Sequence, residues 1–197
     1  MAEDLRSRLT RQIIINSFSE LLQTTPLAKI TVSAICAKAS INRSTFYRYY
    51  DNPLQLYESI EDWFFSEICE YAIEAIETRT ESESFKEQLE GVLQFYKDNF
   101  QVVTALKSKN GNEDFEYKLL MSTFAFMSEA NPTLNRGLSD SENRFMYRYM
   151  AFGSIAVVFG WLDNNMREPV EDVAEFIQTC SSGIHAAFKQ THPSFEL

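Results

Sequence analysis

An all-α fold is predicted by three features of the sequence. Apolar residues recur at three- and four-residue spacing along most of the chain. Only six Gly and five Pro interrupt 197 residues, which leaves long stretches without turn formers. No alternating apolar and polar run is sustained long enough for a strand. With 45% hydrophobic residues the chain can bury a core, which excludes wholesale disorder.

Taken in order, Arg6 to Thr24 places Ile14, Phe18, Leu21 and Leu22 on one helical face, and Pro26 ends it. Thr31 is suited to cap a short helix over Val32 to Ala39, with Val32, Ile35 and Cys36 inward. After a break at Ser40-Ile41, Asn42 caps a second short helix running to about Tyr49. Asp51-Asn52-Pro53 ends that helix and opens the next, where proline is tolerated in the first turn. Leu54 to Thr78 repeats an apolar residue near every fourth position. Beyond a polar break at 78–84, helices are predicted over Phe85 to Phe100, Val102 to Lys107 and Phe115 to Glu129. "SKNGNED" reads as a turn and "NPTLNRGLSD" as a loop. Two long helices close the chain, at about Ser141 to Met166 and Pro169 to Lys189. The second carries a stripe of Val173, Phe176, Ile177, Cys180, Ile184 and Ala187.

Charge divides the chain. From Leu5 to Arg48 there are seven basic residues and one acid, a net of +6 within a protein of −10, so the remainder carries −16. Such a balance disfavours nucleic-acid binding by the whole surface and favours it on one N-terminal face. Within that face lies "INRSTFYRYY", residues 41–50, with two arginines, three tyrosines, two hydroxyl residues and no acid. Helical spacing turns Phe46 and Tyr50 inward. Arg43, Ser44, Tyr47 and Arg48 form an outward ridge, with Thr45 and Tyr49 at its margin. Arginine can read guanine edges or grip phosphate, and Ser, Thr and Tyr hydroxyls can reach phosphate oxygens. Two short helices separated by a tight break have the dimensions of a helix-turn-helix, whose second helix enters the major groove.

These residues resemble the DNA-binding segment of the TetR/AcrR family of bacterial transcriptional regulators. The likeness rests on Thr31-Val32 opening the first short helix, Ile35-Cys36 within it, Ser44-Thr45-Phe46-Tyr47 followed by an aromatic pair, and Leu56-Tyr57 early in the next helix. It covers residues 8–68, with the helix-turn-helix at about 31–50, and leaves 69–197 as a C-terminal helical domain for ligand sensing and dimerisation. The resemblance implies a homodimer reading a near-palindromic double-stranded DNA operator. It assigns Arg43, Ser44 and Thr45 to bases or nearby phosphates, Tyr47 and Tyr49 to the DNA backbone, Arg48 to a variable contact, and Thr31 and Ser33 to phosphates. Two departures stand out. Ser40 occupies the break where the family usually has Gly, and Pro53 stands where it usually has a phosphate-binding lysine. Weaker non-specific binding is expected, with Arg6, Arg8 and Arg11 available to compensate.

In the C-terminal half, Gly153, Ala156, Val157 and Gly160 put small residues along one side of a long helix. Together with Phe176, Cys180 and Ile184 they suit the four-helix dimer interface that the resemblance implies, the alternative being packing inside one subunit. Large apolar residues, among them Tyr96, Phe100, Phe124, Met127, Phe152 and Trp161, provide either plain core or the lining of a pocket for a small apolar or aromatic effector. An effector-responsive repressor is the first expectation. The alternative is an activator or adaptor whose C-terminal half docks a protein partner.

No P-loop, G-x-S-x-G or H-E-x-x-H is present, and His185 and His192 have no organised acidic neighbours, so neither enzyme nor metal site nor cofactor is expected. Cys36, Cys69 and Cys180 lack metal-ligand spacing and fit reduced thiols. The N-terminus has no signal-type apolar run. The longest nearly apolar stretch, Met150 to Leu162, falls short of the roughly 20 residues a membrane span needs, which points to the cytoplasm and no membrane partner.

Overall fold

The computed structural model describes residues 2–77, 85–112, 114–130 and 139–191, with side chains at 5–70, 85–112, 114–122, 139–184 and 186–188. Among these residues the structure is entirely helical. Its elements are α1 (Ala2–Thr24), a 3-10 turn (Leu27–Lys29), α2 (Val32–Ala39), α3 (Arg43–Tyr47), α4 (Pro53–Glu77), α5 (Phe85–Asp98), α6 (Phe100–Leu106), α7 (Phe115–Ala130), α8 (Asp140–Asp163) and α9 (Val170–Thr191). The predicted polar break at 78–84 and most of the loop at 131–140 lie outside the described residues.

The chain forms two compact units, one of residues 1–66 with 99–116, the other of residues 67–98 with 117–197. The segment 99–116, which sequence order assigns to the C-terminal half, thus groups with the N-terminal unit. The reason is packing. Val102, Val103, Ala105 and Leu106 of α6 are buried, and α6 lies against α1. The turn that follows is fastened to α1 and its exit: Leu27 donates its N–H to the Asn110 carbonyl at 2.8 Å, and Asn110 Nδ2 donates to the Gln23 carbonyl at 3.1 Å. A Cβ at Gly111 would lie 3.1 Å from the Leu106 carbonyl and 3.3 Å from the Tyr57 ring, tight enough that a neighbour would have to shift by a few tenths of an ångström. The Tyr57 hydroxyl in turn accepts the Asn112 N–H at 3.1 Å.

The core of this unit gathers Ile14, Phe18 and Leu22 of α1, Ile35 of α2, Phe46 of α3 and Leu56, Ile60 and Phe64 of α4, all essentially inaccessible to solvent. Aromatic packing closes its far end, where Phe64 and Phe65 each lie 5.7 Å from the Phe115 ring. Burial of this many large side chains, worth about 1.5–3 kcal/mol each, is what holds two helices of eight and five residues that would not be stable alone.

In the second unit α9 packs on α5 and α8. The predicted stripe on α9 divides into two faces. Val170, Val173, Ala174 and Ile177 are buried, whereas Phe176 is 56% exposed and Cys180 is also exposed. A single stripe cannot separate these, because inward and outward sets both recur at helical spacing. On α8, Met146, Tyr147, Met150 and Ala151 join Leu120 of α7 in one buried cluster, with Phe85 and Ile184 packed against it. Lys86 of α5 bridges to Glu175 of α9 at 3.2 Å. By length and composition α8 is long and apolar enough to cross a membrane, which the shorter window Met150 to Leu162 did not suggest. Its buried residues account for much of that apolarity within the protein's own core. α8 ends at Asp163, three residues before the expected Met166, because Asn165 and Met166 both adopt left-handed backbone. The Met166 N–H returns to the Trp161 carbonyl at 2.8 Å, satisfying a terminal acceptor.

Candidate nucleic-acid interface

The two short helices are set by their caps. Thr31 accepts the Ala34 N–H at 3.2 Å and opens α2. α2 ends at Ser40, which sits in left-handed backbone at φ 53°, while the Ile41 N–H reaches back to the Cys36 carbonyl at 3.0 Å. The departure from glycine therefore leaves the turn intact; serine adopts the conformation at a cost of about 1 kcal/mol. α3 is then opened by Asn42. Its Oδ1 accepts the Thr45 N–H at 2.7 Å, the Thr45 hydroxyl at 2.8 Å and the Ser44 hydroxyl at 2.7 Å.

α3 is shorter than its sequence pattern suggests, ending at Tyr47, with Arg48 as its C-cap. The faces nonetheless fall as the spacing requires. Phe46 is fully buried, Tyr50 is half-buried, and Arg43, Ser44, Tyr47 and Arg48 are exposed. Tyr47 stands edge-on to Phe46 with centroids 5.7 Å apart, which fixes its ring while leaving it 55% exposed. Thr31 and Ser33 are exposed on the opening turn of α2. Arg43 Nη2 donates to Ser33 Oγ at 2.6 Å, tying the start of one short helix to the start of the other. That bond leaves the Ser33 proton and four of the five guanidinium donors free. Across the back, Lys38 of α2 pairs with Glu20 of α1, and that contact holds the Glu20 carboxyl below the usual carboxylate range.

Three expected contact residues are engaged within the protein, and the first is Ser44, which is exposed but donates its hydroxyl to Asn42 Oδ1. Thr45 is half-buried, and its hydroxyl is spent on the Asn42 cap. Tyr49 meets α1, where Ser7 and Thr10 border its hydroxyl and the Arg11 guanidinium lies 5.5 Å from its ring centroid. The arginine spacing of α1 is the one sequence signal that points to this meeting. At the start of α4, Asn52 accepts the Gln55 N–H and Gln55 accepts the Asp51 N–H, so Pro53 occupies a well-capped first turn that carries no cation.

The residues expected to line a pocket fall in different surroundings. Tyr96 is fully buried in the second unit, and burial pushes its phenol pKa up. Phe100 belongs to the first unit, and Phe152 is 49% exposed. The side chains of Phe124 and Met127 lie outside the described residues. Trp161 is buried and donates Nε1–H to the Glu168 carbonyl at 2.9 Å. It lines an open groove of about 350 Å³ between α8 and α9 with Val157, Gly160, Val173, Phe176 and the carboxylates Glu168 and Asp172. Three of the expected dimer residues, Val157, Gly160 and Phe176, thus share this groove. Gly153 and Cys180 are exposed, and Ile184 is partly buried. Among the described residues no three His, Cys, Asp or Glu side chains group as a metal site requires.

A family model described as the transcriptional regulator C-terminal region of TetR type matches residues 83–183. The chain is 27% identical over 157 residues to the HTH-type dhaKLM operon transcriptional activator DhaS of Lactococcus lactis, covering 77% of this chain and 79% of that protein. The solved structure of the dihydroxyacetone kinase operon activator DhaS superposes with a TM-score of 0.63 at 21% identity, covering 95% of this chain and 98% of the other. A TetR transcriptional regulator from Streptococcus agalactiae gives 0.57 at 22% identity, covering 92% and 98%. These superpositions establish a shared fold of N-terminal helix-turn-helix and C-terminal helical domain. With the family match spanning just over half of its length, the chain belongs to the TetR family of transcriptional regulators, which are not enzymes.

Proposed function

We propose that the protein is a homodimer that binds a near-palindromic operator in the cytoplasm through α3, and that its C-terminal domain alters this binding in response to a small apolar or aromatic effector. The observation that carries the reading is the outward ridge of Arg43, Ser44, Tyr47 and Arg48 over a buried Phe46, within a segment, residues 5–48, of net charge +6 in a chain whose remainder carries −16. Thr31 and Ser33 extend the ridge toward phosphate, and Thr45 and Tyr49 support it from within.

The homodimer is supported by the outer sides of α8 and α9. Phe145, Tyr149, Phe152 and Ala156 recur at helical spacing on α8 and are exposed, as are Phe176 and Cys180 on α9. A Cβ added at Gly153, Gly160 or Gly183 would meet nothing within 4 Å, so the chain's own packing gives no reason for glycine within these helices. Close approach by a second copy gives one, and two DNA half-sites match two-fold symmetry.

A specific observation favours activation as a second reading for the sign of control, because the relative DhaS is named an operon activator. The DNA-binding reading is tested by selecting duplexes from a random pool and measuring affinity for the recovered sequence. The folded double variant Arg43→Ala, Tyr47→Phe should lose that affinity, and unchanged binding rejects the assignment. Attachment of the recovered operator to a reporter then separates repression from activation.

A further inference from the structure

The junction between α1 and the end of α3 holds a cation–aromatic contact, Arg11 on Tyr49, beside Arg48, the last residue of the ridge. Arg11 lies over the Tyr49 ring at 5.5 Å. Arg48, the C-cap of α3, and Arg11 both act on the Tyr49 hydroxyl, and their positive charges, after a hydrogen bond from Ser7, help to draw its pKa down. Arg11 over the ring and Arg48, the neighbour of Tyr49 in the chain, are both exposed, and among the described ion pairs neither has a carboxylate partner. Between residues 5 and 19 there is no acid at all. Two cations beside one tyrosine, with no acid on the adjoining stretch of α1, make this junction attractive to an anion.

We propose that Arg11 and Arg48 form a phosphate clamp at the meeting of α1 and α3, with the Tyr49 ring as the platform that orients Arg11. The inference rests on the DNA-binding reading above and adds a sequence-independent contact to it. A guanidinium held over an aromatic ring by cation–π attraction keeps N–H groups that can donate to a phosphate, and a planar fork can grip it with two hydrogen bonds. Arg48 is the last residue of the exposed ridge, so a clamp here meets the backbone flanking the groove that α3 enters. It supplies the cation that Pro53 fails to provide at the start of α4. Tyr49 is accordingly a positioning residue, and its hydroxyl faces Ser7 and Thr10 of the protein itself.

The test is a salt titration of binding to a short random-sequence duplex and to the selected operator. Removing one neutralised phosphate lowers the slope of log K against log salt by about 0.9, so Arg11→Ala should reduce it by about 1.8 for a dimer and weaken both duplexes alike. Tyr49→Ala should reproduce that change, and Tyr49→Phe, which keeps the ring, should behave as the parent protein. Arg11 is exposed, so its alanine variant should fold, with a thermal melt as the check. An unchanged slope for Arg11→Ala overturns the clamp. A loss in Tyr49→Phe equal to that in Tyr49→Ala overturns the platform role. If Arg43→Ala, Tyr47→Phe also binds both duplexes like the parent, the failure belongs to the DNA-binding reading and not to the clamp alone.

Discussion

Removing the Asn42 cap separates folding of the recognition helix from its chemistry. A single oxygen, Asn42 Oδ1, receives the Thr45 N–H and the hydroxyls of Ser44 and Thr45 within 2.8 Å. α3 has only five residues, so one cap is a large share of what holds it. In Asn42→Ala the freed donors are near solvent and turn to water, which places the loss at about 1 kcal/mol within the usual 0.5–2 range. For a chain of this size that is about 2–4 °C in thermal midpoint. Operator affinity falls only by the fraction of molecules in which α3 is then unformed, so in the folded protein it should stay near the parent's. Asn42→Asp retains the acceptor and adds a negative charge at a helix N-terminus, which leaves the fold as stable or slightly more so. On the DNA-facing side that charge meets phosphate. Affinity should fall more than in the alanine variant, and the deficit should shrink in high salt. Circular dichroism melts with fluorescence anisotropy on the selected operator measure both. An unchanged melt in Asn42→Ala refutes the cap, and parental DNA affinity in Asn42→Asp refutes the orientation of this edge toward phosphate.

Burial is the main reason that the Tyr57 pKa is pushed up to about 12, above the usual 10. The folded state holds the proton that the unfolded state loses, so this stabilisation is complete below pH 10. It declines between about 10 and 12, by up to about 1.4 kcal/mol per pH unit. Tyr57→Phe should remove that decline and, by stranding the Asn112 N–H, cost about 1–3 kcal/mol at neutral pH, both read by urea unfolding. Phe46→Ala empties a fully buried site beneath the recognition helix and should cost about 3–5 kcal/mol in the same assay. Gly160→Leu enters open space within one chain and replaces a poor helix former, so the isolated chain should be no less stable. Sedimentation should nonetheless show the dimer weakened, with Phe176→Glu as a second variant; a parental sedimentation profile for both refutes the proposed face.

The face of α3 is readable in the sequence because helical spacing is a local property. Phe46 and Tyr50 go inward and Arg43, Tyr47 and Arg48 outward whatever the chain does elsewhere. Thr31 and Asn42 are readable as caps for the same reason. The Asn42 cap's claim on the Thr45 hydroxyl is not, since a hydroxyl side chain serves a cap and a phosphate equally well in sequence. Residues 99–116 join neighbours that sequence order does not suggest, because the bonds that tie the turn to α1 cross more than 80 residues. The expected pocket residues mix core with surface, as aromatic and methionine residues at helical spacing look alike in both. Tyr96 is sealed while Phe152 lies open.

By itself the sequence determined the helical class, the pair of short capped helices, the exposed basic ridge of α3 and the acidic remainder, since periodicity, capping and charge act over a few residues. Only the tertiary structure decided that Tyr49 turns toward α1 with Arg11 above it, that α6 belongs with the N-terminal unit, and that the α9 stripe has an inner and an outer face. Those outcomes depend on which distant surfaces meet, and packing between residues far apart in the chain leaves no periodic trace along it.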